Sequence, residues 1–186
     1  MLVFLSCDKT NNFFLKAAEE AKGFIDEKIR PYIELFNPPN AGTASTGSVV
    51  GNVARILFSE LILMDITPKV ENDDKLVYNP GVMIEFGMVF SLELKNSSSV
   101  GSVEPILINK PNYHVFSRNN ISRSKLTPIF NTTDIFPYST DDDGKKELVD
   151  QMFKLMIDAV GKKLDSQPSA ANIQNSFSYV YFEKRV

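Results

Sequence analysis

The sequence predicts an α/β protein: a three-layer, flavodoxin-like domain with a central parallel sheet of about five strands. Short apolar runs alternate along the chain with amphipathic segments of helical period, the pattern of a parallel sheet covered by helices on both faces. The most hydrophobic run, residues 61–66, carries an acid, Asp65, near its carboxyl end. Open α/β sheets bind ligands at that edge, so we expect the functional site there.

The composition suits one globular domain. The chain has 186 residues, 43% of them hydrophobic and 23% charged. We expect the domain over residues 1–166, followed by a linker and a strand or arm over 167–186. The net charge of −3 and the short apolar runs favour neither nucleic acid nor membrane as a partner. A single cysteine, Cys7, excludes an intramolecular disulfide, and the N-terminus lacks the basic start of a signal peptide, so we expect a cytoplasmic protein.

The first third of the chain predicts two strands and a helix. Residues 2–5 form an apolar run typical of a buried strand. Residues 9–29 place apolar side chains at helical spacing, and Pro31 is expected to end that helix. Residues 32–36 predict the second strand, closed by the proline-rich residues 37–40.

The middle of the chain predicts a small polar loop over residues 41–48, a helix to about Glu60 and the third strand over 61–66. Residues 68–78 are expected to be a charged loop. Asn79 is a good N-cap and Pro80 a good first helical residue, so a helix is predicted from there to about residue 94.

The last part predicts a fourth strand over residues 105–108, an irregular polar stretch over 112–131 and a short fifth strand over 133–138. The acidic run 141–143 reads as a solvated turn, not as a metal site. An amphipathic helix then follows, with Leu148, Met152 and Met156 among its inward residues.

Two acids are the candidate catalytic residues. Asp65 projects from the sheet edge, and Glu85 lies one to two turns into the helix begun at Asn79, among apolar neighbours that desolvate it. A pair of carboxylates there suits chemistry at the anomeric carbon of a sugar. The structural alternatives stay open: a cap of the loop or of a nearby helix for Asp65, and a favourable charge near the helix N-terminus for Glu85.

Two loops and a helix start supply the candidate binding residues. Ser6, Cys7 and Asp8 follow the first strand and border the expected site, where Ser6 and backbone amides can hold a phosphate or a ribose hydroxyl. Gly47 and Ser48 end a small-residue loop before a helix N-terminus, a place that suits an anion, although the Walker ending GK[ST] is absent. An ordinary turn and a flexible crossover are the structural alternatives.

Other kinds of site are disfavoured. His114 is the only histidine and falls in the stretch predicted to be irregular. Neither a Cys–His nucleophile pair nor a zinc site is therefore expected, and we predict no metal and no cofactor.

These motifs resemble a known family. The residues that carry the resemblance are Asp65-Ile66-Thr67, Asn79-Pro80-Gly81-Val82, Glu85-Phe86-Gly87 and Pro105-Ile106-Leu107-Ile108. In this order they are similar to the nucleoside 2-deoxyribosyltransferase superfamily and its TIR-like nucleotide-binding relatives. The chain departs from the family pattern where Gly81 replaces an asparagine, Ile84 an aromatic residue and Glu104 a lysine.

The resemblance implies cleavage or transfer of an N-glycosidic bond on a nucleoside or nucleotide: hydrolysis of NAD or a nucleoside monophosphate, or deoxyribosyl transfer. It implies that Glu85 is the nucleophile, that Asp65 orients the substrate or handles the proton of the base, and that Ser6, Asn79 and Gly81 bind substrate. It also implies a homo-oligomer, because in deoxyribosyltransferases the C-terminus of a neighbour completes the site. A non-catalytic nucleotide sensor and a TIR-like self-association module remain the alternatives.

Overall fold

The structure, a computed structural model, describes residues 1–8, 10–37, 46–70, 75–97, 112–118 and 134–165, without the side chains of 46–50, 93–97 and 165. The strands are Leu2–Ser6 (β1), Glu34–Phe36 (β2), Leu61–Asp65 (β3), Lys69–Val70 (β4), Leu76–Val77 (β5), Tyr113–Arg118 (β6) and Ile135–Tyr138 (β7). The helices are Asn12–Gly23 (α1), Thr46–Phe58 (α2), Pro80–Ser97 (α3) and Asp142–Asp165 (α4), with a 3₁₀ turn at Arg30–Tyr32.

The predicted fold class is confirmed. Five parallel strands form one sheet in the order β2-β1-β3-β6-β7, and β4 and β5 form a separate antiparallel hairpin. Helices α1 and α4 pack on one face of the sheet, while α2 and α3 pack on the other. Among the described residues, no helix is both long and apolar enough to cross a bilayer.

Strand β3 shows why the sheet is covered on both faces. Leu61 and Leu63 point into the core beneath α1 and α4, whereas Ile62 and Met64 point into the core beneath α2 and α3. All four side chains are fully buried. A parallel strand buried on both faces needs such a continuous apolar run, so the sequence pattern and the position of the strand agree.

Two asparagines start the helices that border the sheet edge. Asn79 accepts hydrogen bonds through Oδ1 from the amides of Gly81 at 2.9 Å and Val82 at 3.4 Å, and Pro80 is the first helical residue. The predicted start of this helix is therefore confirmed. Asn11 caps α1 in the same way and accepts from the Phe14 amide at 3.4 Å. Side-chain oxygens at these positions satisfy amides that have no partner within the helix.

The helix predicted over residues 9–29 is shorter than expected, because α1 ends at Gly23. The chain then turns so that Ile25, 1% exposed, enters the core. Asp26 accepts from the Lys28 amide at 2.9 Å, and the guanidinium of Arg30 donates to the Ile25 carbonyl at 2.7 Å. These local bonds replace the helical ones that the apolar spacing predicted.

The largest correction concerns residues 112–131, which were expected to be irregular. Tyr113–Arg118 is strand β6, which lies inside the sheet and pairs with β3 on one side and β7 on the other. Its polar residues hid the strand pattern, and pairing on both edges decides its conformation. His114 consequently lies in a strand and not in a loop. The strand predicted over 105–108 lies outside the described residues.

Smaller differences concern the neighbouring loops. The charged loop expected over 68–78 contains the β4–β5 hairpin. Helix α2 begins at Thr46, so Gly47 and Ser48 belong to its first turn and not to a loop. The short strand β7 at Ile135–Tyr138 agrees with the predicted fifth strand. The C-terminal linker and arm expected over 167–186 lie outside the described residues.

Candidate functional site

A crevice opens at the carboxyl edge of the sheet, between β1 and β3. The chain passes from β1 to β2 on one side and reaches β3 on the other, so this is the point where the strand order reverses and where flavodoxin-like sheets bind ligands. The residues lining it are Asp8, Asp65, Ile66, Thr67, Tyr78, Asn79, Val82 and Met83. Its empty volume is about 190 Å³, open solvent included.

Glu85 meets Ser6 at the carboxyl end of β1, and neither side chain is among the residues that line the crevice. Helix α3 lies against the sheet and directs Glu85 at the last residue of β1, where Ser6 Oγ donates to Glu85 Oε2 at 2.5 Å. Both side chains are buried, with Ser6 0% and Glu85 9% exposed. Burial raises the pKa of Glu85, and the hydrogen bond from Ser6 acts against that rise. The Ser6 hydroxyl, which the sequence suggested as a substrate contact, is therefore already bonded to Glu85.

Asp65 is the centre of a hydrogen-bond network. It is 3% exposed, and its Oδ1 accepts from the amide of Thr67 at 3.1 Å and from the Thr67 hydroxyl. Its Oδ2 accepts from the side-chain amide of Asn11 and from the Tyr138 hydroxyl at 3.1 Å. Burial raises the pKa of Asp65, while these donors act in the opposite direction. Four donors occupy the carboxyl group, so it ties together the loop after β3, the start of α1 and the end of β7.

The two acids bind partners on opposite faces of the sheet edge, and the paired-carboxylate site expected from the sequence stays a prediction. Asp65 follows Leu63 toward the α1 and α4 face, where Asn11 and Tyr138 bind it. Glu85 belongs to α3 on the other face and binds Ser6. They share no hydrogen-bond partner within the described part of the chain. The alternation of side chains along a strand causes this separation.

Asp8 joins three segments at the mouth of the crevice. Its Oδ2 accepts from the side-chain amide of Asn79 at 3.2 Å and pairs with the Lys69 ammonium at 3.0 Å. Its Oδ1 accepts from the amide of Thr10 at 2.9 Å and from the Thr10 hydroxyl at 2.6 Å. Burial opposes ionisation, but these hydrogen bonds outweigh it and hold the pKa of Asp8 well below its ordinary value. The ionised Asp8 links the β1 loop, the β4 strand and the start of α3.

The remaining predicted binding residues are dispersed. The side chain of Cys7 packs in the core under α1, with 8% exposed, and does not line the crevice. A Cβ at Gly81 would come within 3.2 Å of Asn79 Oδ1, so the glycine leaves room for the cap. Gly47 and Ser48 lie in the first turn of α2, and the side chain of Ser48 is outside the described part.

Sequence reasoning missed residues that the fold brings to this edge. Asn11, Tyr138 and Arg118 come from α1, β7 and β6 and meet around Asp65 and Thr67. Asn11 carries a helix-capping signal that the predicted longer helix obscured. Tyr138 and Arg118 end their strands, but β6 was not predicted as a strand, so the sequence offered no reason to place Arg118 here.

Metal ligands are not grouped in the described part of the chain: no three His, Cys, Asp or Glu residues there are placed to hold an ion. His114 packs against the ring of Phe136 at 5.9 Å, and burial lowers its pKa.

No protein-family model matches this chain, and no curated protein matches it either. The resemblance of its motifs to the nucleoside 2-deoxyribosyltransferase superfamily therefore stays a prediction. The chemistry of the site follows from its own residues, namely a desolvated carboxyl group beside the switch point of a parallel sheet.

Proposed function

We propose that this chain cleaves or transfers the N-glycosidic bond of a nucleoside or nucleotide, with Glu85 as the nucleophile. The observation that carries the proposal is the buried Ser6–Glu85 hydrogen bond at the carboxyl end of β1, one of the two strands between which the crevice opens. Within the described residues Glu85 Oε1 accepts no hydrogen bond, so one carboxyl oxygen remains for a substrate carbon. The family resemblance assigns the same residue to this role.

The chemistry requires the ionised carboxylate. Glu85 attacks the anomeric carbon, the bond from that carbon to the base nitrogen breaks, and the base leaves with a proton taken from solvent. A water molecule or a second base then attacks the glycosyl ester, which restores the carboxylate. Desolvation makes the carboxylate reactive, while the Ser6 hydroxyl donates to its charged form. The two opposing effects on the pKa of Glu85, burial and the Ser6 hydrogen bond, suit a carboxylate that must be both ionised and nucleophilic near neutral pH.

Asp65 takes a positioning role in this proposal. Its carboxyl oxygens already accept from Thr67, Asn11 and Tyr138, so it holds the loop of β3 in place beside the crevice. A group in direct exchange of protons with the leaving base would need an oxygen free for that proton.

Substrate entry requires the crevice to widen, because its space of about 190 Å³ includes open solvent and encloses no room for a water molecule. Asp8 and Asn79 both line the crevice and hydrogen-bond to each other, and Asp8 also pairs with the exposed Lys69. We propose that these contacts separate when substrate binds.

The alternative function is a non-catalytic nucleotide-sensing module that binds without turnover. The other alternative is a TIR-like self-association module. Tyr32 and Phe58 are exposed aromatic residues that such a surface could use, and a protein-binding surface requires them to belong to a contiguous apolar patch.

An HPLC time course tests the proposal. The purified full chain is incubated with NAD, nucleoside monophosphates and deoxynucleosides, next to Glu85→Gln and the control Glu147→Gln, an exposed acid on α4. We expect one substrate class to release free base, with loss in Glu85→Gln and retention in Glu147→Gln. Circular dichroism verifies that each variant is folded. If the folded wild type releases no base from any substrate, the catalytic proposal fails; thermal shift with the same compounds then tests the sensor.

A further inference from the structure

We propose that Arg118 forms an anion-binding site for the phosphoryl group of a nucleoside 5′-monophosphate. The site lies at the carboxyl edge of the sheet, on the α1 face. This inference deepens the proposed function and rests on it for the nucleoside part of the ligand. The phosphoryl part rests on the surroundings of Arg118 alone.

Within the described part of the chain no carboxylate pairs directly with Arg118, and Asp65 is linked to it through Asn11 and Tyr138. Arg118 Nη2 donates to Asn11 Oδ1 at 2.9 Å, and its guanidinium also contacts the Tyr138 hydroxyl. Both partners are neutral, since burial raises the pKa of Tyr138 and keeps the phenol protonated. The ion pairs formed between described residues all use lysines.

One donor of Arg118 is unsatisfied. Its Nε is buried and has no hydrogen-bond partner among the described residues. Buried polar groups in folded proteins are nearly always hydrogen-bonded, so this donor at the carboxyl edge of the sheet is available to an ion, a water molecule or a ligand. A guanidinium presents its donors as a planar fork, which matches two oxygens of a phosphate.

The helix terminus nearest to Arg118 also favours an anion. The N-terminus of α1 lies beside Arg118 through the shared cap Asn11, and the first turn of α1 contains no acidic residue. A helix N-terminus carries partial positive charge. The acids at this edge are already engaged: Asp65 accepts four hydrogen bonds, and Asp8 pairs with Lys69.

Thr67 connects this site with the crevice. It lines the crevice, and its Oγ1 accepts from the Arg118 amide at 3.1 Å. A ligand that contacts both Arg118 and the crevice would place a phosphoryl group at Arg118 and a sugar in the crevice, with Thr67 between them. A nucleoside 5′-monophosphate has this arrangement, so we expect it to be bound in preference to the free nucleoside.

The test follows the arginine Nε–Hε signals of the full-length protein by NMR during titration with inorganic phosphate. The signal of Arg118 is identified by its loss in Arg118→Lys. We expect it to shift saturably, while that of Arg55, on α2 at the other face of the sheet, stays in place. Arg118→Gln is expected to weaken phosphate binding about tenfold to a hundredfold, and the matched control Arg55→Gln to leave it unchanged.

The proposal is overturned if the Arg118 signal does not shift, or if both glutamine variants bind phosphate equally. A lower melting temperature in Arg118→Gln with unchanged phosphate binding overturns it as well, since it shows a structural role only. Phosphate binding needs no turnover, so the two proposals fail separately. Binding through Arg118 without base release supports the anion site and contradicts the glycosidic function. If Arg118→Gln still turns over the monophosphate in preference to the nucleoside, the anion site is contradicted. The glycosidic function is unaffected by that result.

Discussion

Replacing Asp65 by asparagine tests whether this residue is a structural centre. The carboxyl group accepts from four donors: the amide and hydroxyl of Thr67 on Oδ1, and Asn11 and Tyr138 on Oδ2. An asparagine keeps one acceptor oxygen for Thr67. Its NH₂ group takes the place of Oδ2, so this donor faces the side-chain amide of Asn11 and the Tyr138 hydroxyl, which donated to Oδ2.

The magnitude follows from which partners can adapt. The Tyr138 hydroxyl can rotate and accept from the new amide. Asn11 cannot reverse its side chain without losing its bonds to the Phe14 amide and to Arg118. The buried donor of Asn11 is then left without an acceptor, and the charge that strengthened the remaining bonds is gone. We expect the free energy of unfolding to fall by about 2–4 kcal/mol.

The assay is equilibrium unfolding in urea at neutral pH. Asp158→Asn is the control, because it removes an exposed ion pair with Lys162 on α4 and should cost less than about 1 kcal/mol. A stability of Asp65→Asn within about 0.5 kcal/mol of wild type, the spread usual for surface changes, would refute the reasoning, because it would mean that the four donors do not depend on the carboxylate.

Three further predictions concern titrating groups. The pKa of Glu85 is higher in the folded than in the unfolded state, so its contribution to stability is present at low pH and is lost as pH rises through the folded pKa. Urea unfolding at several pH values should show the stability of Glu85→Gln rising relative to that of wild type above about pH 4.5. Ser6→Ala removes a hydrogen bond that lowers the pKa of Glu85, so ¹³C NMR of the carboxyl group should report a higher pKa, and an unchanged value would contradict this. The pKa of His114 is lowered in the folded state, so its contribution to stability is present above about pH 6.5 and is lost as pH falls. His114→Gln should therefore reduce the dependence of the unfolding free energy on pH in that range. An unchanged dependence would contradict the burial of His114 as a neutral base.

Local patterns determined much of the architecture. The apolar run of β3 needs burial on both faces, and Asn79 with Pro80 starts a helix through bonds that span only three residues. Such features depend on neighbours in the chain, so the sequence alone predicted the parallel sheet, the start of α3 and the place of Asp65 and Glu85 at the carboxyl edge.

The tertiary structure decided which residues meet. Strand β6 has a mixed polar pattern, and only its pairing with β3 and β7 makes it a strand and carries Arg118 to the edge. The pleat sends Asp65 to one face of the sheet, whereas Glu85 meets Ser6 on the other, so two acids predicted as a pair acquire separate partners. Hydrogen bonds between residues that are distant in the chain depend on strand order and register. Those follow from packing of the whole domain and not from any local run of residues.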